Sequence, residues 1–243
     1  MATNIGPWLP IHDAAAKGDA DALRQELERG WTPDQVGPHG LAPLHFAASC
    51  GASRGEDNQL ACVSLLIDAG ANVSAASSHC NNMTALMYAA VGERPTLVAA
   101  LLNAGADVNH RDGTGWTALH YAMFNDSADC THLLIKAGAA MDARCGDGMT
   151  PLDLCISGCH RDDAAGSNRQ LRLYSVLLRS GAALPAETDD AYIRKVIAAG
   201  SFQNYERAHL NAIVASFAPK FSHLLPPELV RRVVEYAFHV GDY

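Results

Sequence analysis

The chain has 243 residues, 49% of them hydrophobic and 18% charged, with a formal net charge of −8; that is enough for one large domain or an extended array with a continuous core. The acidic balance, with no Lys/Arg block beyond the pair Arg231–Arg232, argues against a general nucleic-acid binder, which needs a basic face against phosphates. The opening "MATNIGPWLPIHD" has neither a basic nor an apolar leader segment, and no run of about 18 apolar residues occurs. The expectation is an intracellular chain without membrane insertion, in the cytoplasm or, as the alternative, the nucleus or another compartment, its seven cysteines free thiols and not a disulfide framework.

In chain order, "LPIHDAA" (9–15) opens a helix with Pro10 at its first position, where a missing N–H costs nothing. "DADALRQELERG" (19–30) is an outer helix with many Asp, Arg and Glu residues, suited to a solvated N-terminal cap. "APLHFAA" (42–48) repeats the first phrase, and the polar stretch "ASRGEDNQ" (52–59) after it is expected to be a surface loop. A helix carrying Val63, Leu66 and Ile67 then ends at Gly70, because a left-handed cap favours glycine. "SAASSHCNNM" (74–83) is a turn region about two residues longer than its counterparts.

"TALMYAA" (84–90) and the helix of Val98, Leu101 and Leu102 up to Gly105 form the next pair. "TALHYAM" (117–123) follows, with Leu134, Ile135 and Gly138 in its second helix. "TPLDLCI" (150–156) precedes a second polar insertion, "GCHRDDAAGSN" (158–168), and "LLRSGAAL" (177–184) closes the series at Gly181. Thr84, Thr117 and Thr150 are hydroxyl caps for the helices they precede. Leu44, Leu86, Leu119 and Leu152 point to a core, and Ala47, Ala89 and Ala122 leave room for neighbouring helices to approach.

The second positions of these phrases fall at 10, 43, 85, 118 and 151, a beat of 33 residues with one interval of 42. A period near 33 with a T-P-L-H-x-A phrase strongly resembles the ankyrin repeat. The resemblance implies an all-α solenoid of helix-turn-helix units with short finger turns, stable only through stacking. It divides the chain into an ankyrin domain, 1–184, with copies at 8–41, 42–83, 84–116, 117–149 and 150–184, and a C-terminal helical cap or adaptor-like extension, 185–243. His12, His45 and His120 share one position in the phrase, with Met87 and Asp153 in the other two copies. The resemblance implies that this histidine steadies the loops between repeats, and a position that recurs serves the scaffold, not catalysis.

No phosphate loop, nucleophile elbow or paired metal motif occurs, so no enzyme activity and no cofactor are expected. Cys145, Cys155, Cys159 and His160 form a Cys/His set, but a C-x3-C-H spacing is not a standard zinc arrangement. Cys155 stands where other copies carry alanine, as a small buried thiol does, and no metal is expected. Asn109, eight residues after Leu101, resembles the ankyrin substrates of asparaginyl hydroxylation; the alternative is that it shapes its turn.

Ankyrin arrays bind through finger tips and the concave inner-helix face, which here implies a protein or peptide partner. Leu41, Met83, Trp116 and Met149 are equivalent finger positions. After the alanine pair of each inner helix come Ser49/Cys50, Val91/Gly92, Phe124/Asn125 and Ser157/Gly158, all uncharged. The expectation is a shallow apolar groove with Trp116 and Phe124 near its middle as anchors, flanked by Arg111 and Arg144, which could take a partner carboxylate. The alternative is that the apolar row packs on neighbouring fingers and serves stability.

Beyond Leu184-Pro185, "DDAYIRKVIAAGSF" (189–202) resembles the outer helix of a degenerate sixth repeat. "YERAHLNAIVASF" (205–217) is expected to be helical with Leu210, Ile213, Val214 and Phe217 on one face, and "LLPPELVRRVVEYAFHVG" (224–241) helical from Pro227 to Gly241. This layout is faintly similar to a SOCS box or to the opening of an F-box, which implies adaptor docking through Leu210, Val214, Phe217, Leu225, Pro226 and Leu229. It departs from them in having Val214 where a cysteine is usual and in lacking a Leu-Pro-x-Pro. The alternative is that these helices cap the last repeat. The chain is thus expected to be a non-catalytic interaction module, with a substrate adaptor of a cullin-type ubiquitin ligase, bound to an elongin- or Skp-like subunit, as the second reading. A structural subunit of a larger assembly is the third.

Overall fold

The computed structural model describes residues 8–49, 55–157, 173–185, 188, 190–221 and 228–229. Its described elements are helical, and the fold is all-α. Two compact units are present, Met1–Gly158 and Cys159–Tyr243.

In the first unit, inner helices α1 (Pro10–Lys17), α3 (Pro43–Ala48), α5 (Ala85–Val91), α7 (Ala118–Phe124) and α9 (Pro151–Ser157) alternate with outer helices. The outer set is α2 (Ala20–Glu28), α4 (Glu56–Asp68), α6 (Pro95–Asn103) and α8 (Ala128–Lys136). Pro10, Pro43 and Pro151 each take the first helical position, as expected. Inner helices pack on inner helices and outer on outer in chain order. Ala47, Ala89 and Ala122 are fully buried at the inner seam, and Leu66, Leu101 and Leu134 are fully buried under the outer helices. Burying each such leucine contributes about 2 kcal/mol, which no isolated pair of helices could gain.

The second outer helix starts earlier than its sequence suggests. Residues 56–59, expected in a loop, form the first turn of α4. Glu56 and Asp57 there favour the positive end of the helix dipole, and the buried Gln59 donates from Nε2 to the Ser49 carbonyl at 2.6 Å.

Fingers span the gaps at 29–42, 69–84, 104–117 and 137–150. Each is pinched by one backbone bond at 2.9 Å: Gly37 N–H to Leu41 O, Ser77 to Met83, Asp112 to Trp116, and Cys145 to Met149. The Ser77–Met83 hairpin is two residues longer than the others, as its sequence suggests, and its tip passes through left-handed Asn81 and Asn82, φ 55° and 57°. Asparagine tolerates that region better than most residues.

Adjacent fingers are tied edge to edge. The N–H groups of Ser78, Gly113 and Gly146 donate to the carbonyls of Gly40, Asn81 and Thr114, at 3.4, 2.8 and 2.7 Å. A second ladder uses side chains. Asp34 Oδ1, Ser74 Oγ and Asn109 Oδ1, each four residues after the helix-ending glycine, accept from the N–H groups of Asn72, Asp107 and Ala140 in the following copy, at 2.8, 2.9 and 2.7 Å.

In the second unit, α10 (173–179), α11 (Ala191–Ala198) and α12 (Phe202–Phe221) follow one another. Asp190 caps α11 through Oδ1, which accepts from Tyr192 and Ile193 N–H at 2.9 and 2.8 Å. Ile193, Val196 and Phe202 are buried. Tyr174, Tyr192 and Tyr205 form a run of ring contacts at 5.9 and 5.3 Å, and Arg179 pairs with Glu206 at 2.6 Å. The α12 helix extends past both ends of the expected 205–217. Of the segment 224–241, the described residues are Glu228 and Leu229, which are helical. No helix among the described residues is long and apolar enough to cross a membrane.

Candidate functional site

The histidines are held on both ring nitrogens. His45 Nδ1 accepts from Ala42 N–H at 3.0 Å, and its Nε2 bonds the Ala75 carbonyl of the next finger at 3.0 Å. His12 bridges Leu9 N–H (3.4 Å) and Gln35 O (2.7 Å). His120 accepts from Thr117 N–H (3.1 Å) and hydroxyl (2.8 Å) and reaches Met149 O at 3.4 Å. A carbonyl only accepts, so the proton sits on Nε2 and each ring is neutral. Burial lowers all three pKa values from the ordinary 6.5, against the opposing pull of the backbone bonds. With its nitrogens spent on backbone, each ring is a staple between its helix and a finger.

The two exceptions are informative. Asp153 keeps the inner half of the role: its Oδ2 accepts from Thr150 N–H at 2.9 Å, while Thr150 Oγ1 caps Asp153 N–H at 3.1 Å. Met87 makes no such bridge, and Thr84 caps it through Oγ1 at 3.4 Å. The finger at 104–117 is organised instead by Asp112, 6% exposed. Its Oδ1 accepts from Thr114 N–H (2.8 Å), Thr114 hydroxyl (2.7 Å) and Trp116 N–H (2.9 Å). Its Oδ2 accepts from Asn81 Nδ2 (3.0 Å) and the Tyr121 hydroxyl (2.6 Å). Burial alone would raise the Asp112 pKa, but these hydrogen bonds outweigh it and hold the carboxyl below 3.8. Burial, then the bond to Asp112, pushes the Tyr121 hydroxyl up.

This carboxylate fixes an aromatic platform. Trp116 lies 4.9 Å from Tyr121 and 5.5 Å, edge-on, from Phe124. Trp116 and Tyr121 are half-buried, while Phe124 is 52% exposed. A phenyl ring left half in water on a rigid support is the kind of group a partner covers. Trp116 and Phe124 are therefore brought together, as the sequence suggests.

The other candidates are distributed differently. Leu41 is 8% exposed and turned into the core, so it offers a partner little surface; Met83 and Met149 are half-buried. Arg111 and Arg144 are exposed on adjacent fingers, Arg111 donating to the Arg144 carbonyl and Arg144 to the Gly148 carbonyl at 2.7 Å. Asn109 spends its amide on the neighbouring copy, Oδ1 on Ala140 N–H and Nδ2 on Gly138 O at 3.3 Å. In the second unit Leu210 and Val214 are half-buried on α12 and Leu229 is 43% exposed; Leu225 and Pro226 and the Phe217 side chain lie outside the described residues. Cys159 and His160 also lie outside them. Cys145 and Cys155 are buried, and among the described residues no group of three or more His, Cys, Asp or Glu could hold a metal ion.

Sequence reasoning missed a row beside the repeated histidine position. Phe46, Tyr88 and Tyr121 fill it in three consecutive copies, with Phe46 carrying Trp8 edge-on at 5.0 Å and Tyr88 meeting His45 edge-on at 6.0 Å. Three aromatics at one phase of the period were the available signal.

A family model of three ankyrin repeats matches residues 11–112 and again 92–165, more than half of the chain, which therefore belongs to the ankyrin repeat family. Such repeats are protein–protein interaction modules and are generally not enzymes. Over 115 residues the chain is 32% identical to "Glycerophosphocholine phosphodiesterase gde1" of Schizosaccharomyces pombe, covering 47% of this chain and 9% of that protein. Over 94 residues it is 36% identical to "Putative E3 ubiquitin-protein ligase XBAT31" of Arabidopsis thaliana, covering 39% of this chain and 19% of that protein. The chain thus spans under a fifth of either relative's length.

Proposed function

We propose that the chain is a non-catalytic recognition protein acting inside the cell, binding a partner protein or peptide on the concave surface around Phe124, Trp116 and Tyr121. The observation that supports this is the exposed Phe124 ring, 52% open, set edge-on against Trp116, which meets Tyr121 in a cluster that Asp112 holds in place. A core function alone gives no reason to support an exposed phenyl so firmly. Phe124→Ala, in partner capture from cell extract alongside thermal melts, tests it. Lost capture with a melting temperature within about 2 °C of the parent is the expected result; unchanged capture refutes it.

A second reading, a ubiquitin-ligase substrate adaptor, is supported by the name of the Arabidopsis relative and by the apolar Leu210, Val214 and Leu229 of the tail. Leu229→Asp in the full chain separates the two. Loss of cullin-complex subunits from the capture, with the concave-face partner retained, favours the adaptor. Recovery of one stoichiometric complex regardless of either substitution favours a subunit of a larger assembly.

A further inference from the structure

Arg111 and Arg144 occupy the same place in consecutive fingers, each one residue before the N–H that closes its hairpin. Neither side chain is loose. Arg111 crosses to the carbonyl of Arg144, and Arg144 folds onto the carbonyl of Gly148. Both anchors are neutral, so they order the cations without compensating them. Among the described residues neither guanidinium lies within pairing distance of a carboxylate. Asp112, adjacent to Arg111, spends both oxygens on its own finger, Asn81 and Tyr121, and Asp147, exposed at the tip of the next finger, is unpaired with either. In a chain with 26 acidic and 18 basic residues, two ordered cations with no counter-charge among the described residues run against the overall balance. Arg111 also shares its finger with the platform, since the hairpin it precedes is closed by the Trp116 carbonyl, and Arg144 stands on the next finger.

We propose that the partner segment is an acidic peptide. An apolar side chain seats on Phe124 and Trp116, and Asp or Glu carboxylates beside it are taken by Arg111 and Arg144. This rests on the concave surface being the partner site. A guanidinium presents five N–H donors in a fixed fork, so those not given to the carbonyl still match a carboxylate. Because the stems are already ordered, less side-chain freedom is lost on binding than for a free arginine. A basic partner meets like charge at both tips.

The test is selection of phage-displayed random peptides on the full chain, followed by fluorescence anisotropy of the selected peptides. They are measured against the parent, Phe124→Ala, the double charge reversal Arg111→Glu/Arg144→Glu, and Arg111→Gln/Arg144→Gln. The glutamine pair keeps a donor for each carbonyl and removes only charge, so it decides the matter where the reversal disturbs folding. Expected are peptides with Asp or Glu next to an apolar residue, binding that weakens with added salt, and a loss of roughly tenfold or more with either arginine pair. Peptides that fail on Phe124→Ala yet carry no acidic enrichment and ignore both arginine pairs overturn the acidic partner and leave the concave site standing. Peptides indifferent to Phe124→Ala, or none selected at all, overturn both.

Discussion

Three fingers are pinned by a neutral imidazole reaching from the helix below, and one, at 104–117, by a buried carboxylate within itself. Where Met87 replaces the histidine, the finger beyond it loses its bridge, and Asp112 supplies the order from inside. The same mechanical task is done by two chemistries that respond to protons in different pH ranges. The carboxylate version also reaches outward: through Trp116 N–H and the Tyr121 hydroxyl it sets Trp116, against which Phe124 rests, and the Tyr121 ring that Trp116 meets.

Asp112→Ala is the hardest blow to that contrast. It leaves Trp116 N–H, Thr114 N–H and the Tyr121 hydroxyl without their acceptor, which costs about 3 kcal/mol by urea denaturation, with loss of the near-ultraviolet signal of Trp116. A cost under about 1 kcal/mol would falsify the idea that the carboxylate holds the finger.

Acid separates the two chemistries without mutation. A buried base whose folded pKa lies below 6.5 takes up a proton more readily once unfolded, so its contribution is whole above about pH 6.5 and drains as the pH falls towards the folded value. Asp112, held below 3.8, keeps its contribution until the pH drops under that value. Stability measured between pH 7 and pH 5 is expected to fall on acidification, with His45→Met flattening the slope and Asp112→Asn leaving it unchanged. An equal slope in the His45 variant goes against the staple.

Gly37→Ala probes the first staple sterically. A Cβ there would overlap the His12 ring, at about 2 kcal/mol, and the His12 resonances are expected to move while those of His120 stay. The smallest effect is that of Asn109→Ala. It removes the Ala140 and Gly138 bonds for about 1 kcal/mol, and loosens one junction as read by hydrogen exchange at the Ala140 amide.

Much of this was legible because repetition reveals itself. Pro10, Pro43 and Pro151 mark where inner helices begin, and the glycines at 70, 105 and 138 mark where outer ones end, each from a local backbone need. The Asp112 cluster was not legible, since it joins Asn81, Thr114, Trp116 and Tyr121 from two fingers and a helix, and no periodic signal marks a contact made once. Thr117 was only half legible: it precedes its helix as a cap should, but its hydroxyl turns to His120 Nδ1. Leu41 was misplaced for a related reason. Equivalence in the repeat assigns a position along the finger, while exposure depends on which neighbours happen to cover it.

The side-chain ladder between copies has a direction. Asp34, Ser74 and Asn109 supply the oxygen, and the following copy supplies only backbone, a peptide N–H each time and at Asn109 also the Gly138 carbonyl, groups that nearly every amino acid possesses. A module can therefore be succeeded by almost any other, provided it brings its own short polar acceptor. Duplication, deletion or shuffling of units leaves that seam intact from the downstream side, and only the upstream member has to keep its spelling.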